Sequence, residues 1–357
     1  MSLVISKPTG GKLAVKKPTG SGWTIKGNGT GQNLLYSQAG TPVLDLRFAD
    51  TKSLNDYVSG TNRITFARAS TATYVGANGL IQTAASNEAR FDHNPTTGES
   101  LGLLVEEART NLLLNSATLS TQSATVTAVA NTLSFYGTGT VTLTGVSTAG
   151  PLVGTGANNR VSLTFTPTAG SLTLTVSGSV TNAQLEAGAF PTSYIPTTSA
   201  TATRAADVVS ITGANFSSWY NQTEGTMFAI TKGAAKDYVI ARNSDGSNLI
   251  ALDVINTATV LRGVIYVAGS ATLNINTGSF SLVAGNTLKS SMAYQLNNAA
   301  IAANSSLLAT GSPSSFPTLS DICIGNLSGT AQVNGTISRF VYWPTRLSNT
   351  TLQQITQ

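Results

Sequence analysis

The chain has 357 residues, with 20 Lys+Arg and 15 Asp+Glu giving a formal charge of +5, enough length for two or three domains with separate cores. Its 34 glycines and surplus of Thr, Ser, Asn and Ala read as short strands joined by many turns, an all-β chain rather than a disordered polar one. The single cysteine, Cys323, excludes an intrachain disulfide framework, and neither a signal-type apolar core nor a membrane-length run is found, so a soluble chain without a cleaved signal is expected.

Residues 1–43 are expected to form a basic arm, a β-strip. Leu3-Val-Ile-Ser-Lys-Pro-Thr-Gly10 returns as Leu13-Ala-Val-Lys-Lys-Pro-Thr-Gly20 and again as Trp23-Thr-Ile-Lys-Gly27, a period of ten. Each unit sets an apolar residue and a β-branched one two positions apart, Leu3/Ile5, Leu13/Val15 and Trp23/Ile25, and stops where proline ends pairing or glycine permits a turn. So small a strip needs a partner sheet. Lys7, Lys12, Lys16, Lys17 and Lys26 give the first 44 residues +5 with no acid, and the rest sums to zero with 15 of each sign. They are the candidate anchoring residues, for an acidic site on a partner protein. Trp23 is the one aromatic in the repeat, which argues against a base-stacking nucleic-acid surface.

Residues 44–116 read as a connector. Leu44 to Phe48 alternates like a strand, Asp50 to Asp56 reads as a helical turn, and Leu101 to Leu114 offers the most helix-like stretch of the first half, with a strand edge as its alternative. Between Arg63 and Ser116 lie nine charged residues and the only histidine, and the 65 residues that follow carry one charge, Arg160. Residues 117–182 alternate Val, Leu or Phe with Thr at period two, as in half-buried antiparallel strands of a small sandwich or barrel. Its nearly uncharged Thr surface hints at packing between copies of the chain. Residues 183–206, with two prolines in six residues, read as a stiff extended linker. Residues 207–357 carry ten strand patterns with hairpin turns at 243–246 and 297–298, spaced as in a jelly roll. A closing helix over 346–355 is expected, capped by Ser348 and burying Leu352 and Ile355.

Catalytic chemistry is sparse. His93 reads as a turn residue bonded to backbone, since no Ser/His/Asp set can be assembled around it. Glu106/Glu107 and Asp237/Asp245 are the carboxylate pairs a glycosidase would use, but no motif places them. Asp245, Asp253 and Asp321 lie in or near loops and leave a Ca2+ site in the C-terminal sandwich as an alternative, though no loop has the dense ligand spacing that would specify one, and Cys323 reads as a small buried residue. No enzyme, cofactor or metal is expected. Trp219, Tyr220, Tyr266, Tyr294 and Trp343 could stack on sugars, but their strand positions favour the core.

Three stretches carry a resemblance: FARASTATYVGANGLIQTAASNEARFDHNPTTGESLGLLVEEARTNLLLNS from Phe66, QLEAGAFPTSYIPTTSATATRAADVVSITGANFSSWYNQTEGTMFA from Gln184, and GTISRFVYWPTRLSNTTLQQIT from Gly335. They resemble tailed-bacteriophage virion proteins bearing a concanavalin-A-like, laminin-G-like sandwich, over roughly residues 44–357. The resemblance implies a virion location and a fibre or adhesion role. The arm would hold other virion proteins, a lectin-like C-terminal sandwich would meet host polysaccharide, and fibre symmetry points to a homotrimer. A capsid or tail decoration protein without ligand is the alternative.

Overall fold

A computed structural model describes residues 31–233, 238–243, 245–255, 260–277, 286–327 and 330–357. The repeat and all five arm lysines lie outside the described residues.

The chain is all-β, as its composition implies. Its larger body is a sandwich of two antiparallel sheets. The eight-stranded sheet centres on Gly335–Trp343, flanked by Gly225–Lys232 on one side and by Leu44–Leu46 and Ser100–Val105 on the other. The seven-stranded sheet runs from Thr65–Ala67 through Val208–Thr212 and Asp321–Ile324 to Ser270–Asn276. Alternation puts one apolar row of each strand inside: Met227, Ile337, Phe340 and Tyr342 meet Val209, Ile211, Leu252 and Ile265 across the core. The eight-stranded sheet is covered on its outer face too. Phe228, Ala293, Ala300, Ala302, Val341 and Trp343 lie beneath the closing helix Asn349–Ile355 and the helix Gly31–Ala39. Four alanines or valines in that row leave room for the helices to sit close.

The closing helix matches the sequence reading. The Ser348 hydroxyl accepts the Thr351 N–H at 3.1 Å, and Leu352 and Ile355 are buried.

Four expectations are corrected. The sandwich does not begin at 207: Leu44–Leu46, Thr65–Ala67, Phe91–His93 and Ser100–Val105, all in the expected connector, are strands of its two sheets. Nor does the arm reach 43, because Leu35 is buried in the helix layer and Tyr36 donates its hydroxyl to Asp45 at 2.8 Å. The helix-like stretch 101–114 instead holds the strands Ser100–Val105 and Arg109–Asn111; the pull of two neighbouring strands on the first outweighs its local helical preference. Finally, the expected linker from 183 starts inside a strand, Val180–Ala187, which pairs with Asn131–Gly137.

The threonine-rich region is a second, smaller sandwich. A four-stranded sheet, 122–126, 140–145, 152–153 and 170–177, packs on a three-stranded one formed by Asn131–Gly137, Gly156–Phe165 and Val180–Ala187. Leu133, Phe135, Val141, Leu143, Leu172, Leu174 and Leu185 make its core. It is inserted in the larger sandwich through a two-stranded stem in which Arg109–Asn111 pairs with Ala202–Arg204.

A fragment limited to residues 207–357 leaves out Leu46, Phe48, Phe66, Leu103 and Val105, all of which the core buries. It is expected to give no cooperative thermal transition by circular dichroism, whereas residues 31–357 melt cooperatively.

Candidate functional site

The charged residues concentrated between Arg63 and Ser116 meet the segment 184–207 in a buried ion network where the two sandwiches join. Asp207 lies at its centre. Its carboxylate accepts from Arg68 Nη1 at 3.1 Å, from Arg90 Nη2 at 2.6 Å and from the Glu106 N–H at 2.8 Å. Arg90 turns its other terminal nitrogen to Glu106, 2.8 Å away, and to the Ser193 hydroxyl at 2.7 Å. Ser193 answers with both of its donors, its N–H at 2.7 Å and its hydroxyl at 2.6 Å, each on a Glu106 oxygen. Arg204 stands 3.5 Å from Glu106 and donates to the Glu107 carbonyl at 2.8 Å. Glu186 is satisfied separately, by Gln184, the Thr192 N–H and the Thr192 hydroxyl at 2.7, 2.8 and 2.7 Å. Three arginines thus face three carboxylates, all buried, and nearly every oxygen has a named donor, as buried charge requires.

The resemblance-bearing string QLEAGAFPTSYI acquires a physical meaning here. Gln184 accepts the Ile195 N–H at 2.6 Å, Tyr194 bonds Ser116 through its hydroxyl at 2.8 Å, and the Tyr194 carbonyl accepts from Thr73 at 2.5 Å. Gly188 has φ of +143°, and any side chain there would run into the Arg109 guanidinium, which lies 5.0 Å over the Phe190 ring.

Beside this network a cleft of about 420 Å3 opens between the sandwiches, within the size range of ligand sites. One wall is the hairpin of Ala72–Val75 and Ile81–Ala84, which contributes Tyr74 and Ile81, with Asp92 next to it. The other is the outer face of the three-stranded sheet, contributing Tyr136 and Arg160; Phe190 and Lys232 also line it. Arg160 reaches the cleft because the pairing of its strand with Asn131–Gly137 shifts register between Gly156 and Val161, and such a bulge re-aims side chains. Its Nη1 donates to the Thr192 carbonyl at 2.5 Å and its Nη2 to the Ser134 hydroxyl at 2.8 Å. A strand of the small sandwich and the segment that leads out of it therefore fix the guanidinium.

Electrostatics differ sharply between the two carboxyls at this junction. Burial alone would raise Glu106, but Arg204, Arg90 and the two Ser193 bonds hold it down at about 2. Asp92 is pushed up to about 6, mainly by burial and further by Glu106, against the opposing Val75 N–H that donates to it at 2.7 Å. The Tyr136 phenol is also raised, by burial, with Arg160 opposing and Asp92 adding to the shift.

Other residues singled out in the sequence lie elsewhere. His93 is buried on the strand Phe91–His93, its Nδ1 3.1 Å from the Val75 carbonyl: the backbone bond matches the expectation, the turn does not. Glu106 and Glu107 diverge, the latter pairing with Arg109 at 2.5 Å. Asp253 pairs with Arg262. Trp219, Tyr294 and Trp343 are core residues, as are Cys323 and Tyr342, whereas Tyr220 is half-buried and stacks 4.4 Å from Phe216. Among the described residues no three His, Cys, Asp or Glu side chains gather as metal ligands, and no helix is long and apolar enough to cross a membrane. Tyr136, Asp92 and Lys232 were not legible as site residues. Arg160, the lone charge in a threonine-rich stretch, carried the one signal.

No protein-family model matches the chain, and no curated protein is significantly similar to it. Among solved structures it is similar to the Ruminococcus gnavus IT-sialidase CBM40 bound to α2,3-sialyllactose, at 14% identity over 40% of this chain and 86% of that one, TM-score 0.34. The leech intramolecular trans-sialidase matches at 17% over 40% and 24%, TM-score 0.34. The binding domain of botulinum neurotoxin DC in complex with rat synaptotagmin II matches at 14% over 43% and 40%, TM-score 0.33. At such values the likeness concerns β-sandwich architecture alone.

Two outcomes test the electrostatics. Asp207→Ala strips Arg68 and Arg90 of a buried partner and is expected to cost about 3–5 kcal/mol in urea unfolding. The pH dependence has two signs. Glu106, held below its unfolded value, stabilises above about pH 4.5, and this is lost as pH falls toward 2; Asp92, raised, stabilises fully below about pH 4, and this is lost as pH rises through 6. Wild type should therefore lose roughly 1–2 kcal/mol between pH 5 and 7.5, and Asp92→Asn should not.

Proposed function

We propose that this chain is a virion structural protein of the fibre or adhesion type that holds host-surface polysaccharide in the cleft between its two sandwiches. The observation that carries the reading is the cleft itself. Tyr74, Tyr136 and Phe190 offer ring surface beside Asp92, Arg160 and Thr192, the mixture of flat apolar faces and planar polar groups that pyranose rings need. The phage-virion part of the proposal rests on the sequence resemblance, which runs through the strings that build the junction. Under this reading the basic N-terminal repeat, with Lys7, Lys12, Lys16, Lys17 and Lys26, attaches the protein to the particle, and the body is displayed, as a trimer in the usual symmetry of fibres.

The cleft needs both sandwiches, so the test uses the full chain. On an array of bacterial surface polysaccharides it is expected to bind at least one class, and Tyr136→Ala to weaken that binding about tenfold. No binding across the array would overturn the adhesion reading in favour of a decoration protein. Deleting Met1 to Gly27 should leave a folded protein that no longer enters particles; full incorporation would move the anchor elsewhere.

A further inference from the structure

We infer that the cleft selects carboxylate-bearing sugars, with Arg160 as the group that receives the acid and Lys232 as a second positive charge. This rests on the glycan reading above and narrows it to a chemical class.

The argument begins with charge balance. Arg68, Arg90 and Arg204 are matched by Glu106, Asp207 and Glu186 within the buried network, so the junction contributes almost no net charge to the cleft. Among the described residues the charges that remain on the lining are Arg160, Lys232 and Asp92. Arg160 has no carboxylate in salt-bridge range among the described residues, and its two bonds go to a carbonyl and a hydroxyl. Each terminal nitrogen has two hydrogens and one protein acceptor, which leaves one N–H on each for a ligand. A guanidinium held in place by neutral groups has its orientation fixed and its charge unspent, the condition for receiving a carboxylate in a partly enclosed site. Residues 117–181 of the small sandwich contain no other charge, and the acid that its strand Val180–Ala187 carries, Glu186, is taken up by Gln184 and Thr192.

Asp92 is the opposing charge. The groups around it are Glu106 and Arg90 behind, the Val75 and His93 N–H donors beside, and Tyr136 with Arg160 on the facing sheet. When its carboxyl is protonated the cleft is more positive, so an acidic saccharide binds more tightly below about pH 6.

The test titrates the full chain with oligogalacturonate and with a hyaluronan tetrasaccharide, each against its carboxyl-reduced counterpart, which keeps the ring and removes the charge. At least one acid is expected to bind about tenfold or more tighter than its reduced form at pH 5. That ratio should fall toward one in Arg160→Gln, decline partly in Lys232→Gln, and lose its pH dependence in Asp92→Asn. The wild-type ratio needs no variant to fold. Reduced forms binding as well as the acids, or only neutral polysaccharides binding, would overturn the charge selection while leaving the glycan cleft standing. No binding by any acidic or neutral saccharide would overturn both.

Discussion

The Asp207 carboxylate ties three separate segments of the larger body together beside the stem of the small sandwich. It ties Arg68 from the edge of the seven-stranded sheet, Arg90 from the approach to Phe91–His93 and the Glu106 backbone at the end of Ser100–Val105. Those partners are 101 to 139 residues away in sequence. The stem, the hairpin wall of the cleft and the entry to the small sandwich all inherit their positions from this one group. Its removal takes the carboxylate from Arg68 and leaves Arg90 with Glu106 alone, a buried charge imbalance that no local rearrangement of apolar side chains can relieve.

Two kinds of information in the chain were unequally legible. Period-two alternation placed the strands at 140–145 and 170–177 closely, because each presents one apolar face to a core, and apolar runs bounded by turns placed those at 225–232, 249–255, 288–295 and 335–343, which are buried along most of their length. Ser348 announced the closing helix by local capping chemistry. Asn131–Gly137 was missed although Leu133 and Phe135 are core residues: Ser134 and Tyr136 lie on a face buried at the junction, so polar residues there do not mark solvent. Ser306–Gly311 and Gly31–Ala39 were missed as well; their main support is tertiary pairing and packing.

The connector reading failed for an instructive reason. Its mixed charges suggested surface pairing or capping, and both signs are indeed used, but in the interior. Arg68, Arg90 and Arg204 are essentially inaccessible, and their partners lie across sequence gaps that no local pattern encodes. The expected domain border at 207 followed from the same gap, since an edge strand such as Thr65–Ala67 gives no hint of which distant strand it will join. The cleft was hidden for a third reason: its walls come from two different sandwiches, and its most informative residue is exposed to it by a register shift.

The two-stranded stem has an evolutionary consequence. Arg109–Asn111 and Ala202–Arg204 are paired antiparallel, so the inserted sandwich leaves and re-enters its host about one strand spacing apart, roughly 5 Å. A module with neighbouring ends can be exchanged for another of the same kind without rethreading the larger sandwich. The exchange has a fixed boundary, however. Gln184, Glu186, Ser193 and Tyr194 come from the inserted side yet complete the host's junction, so a replacement must bring these residues with it. The string around them is then the seam at which such an exchange would have to be made, and its residues answer to the geometry of the joint.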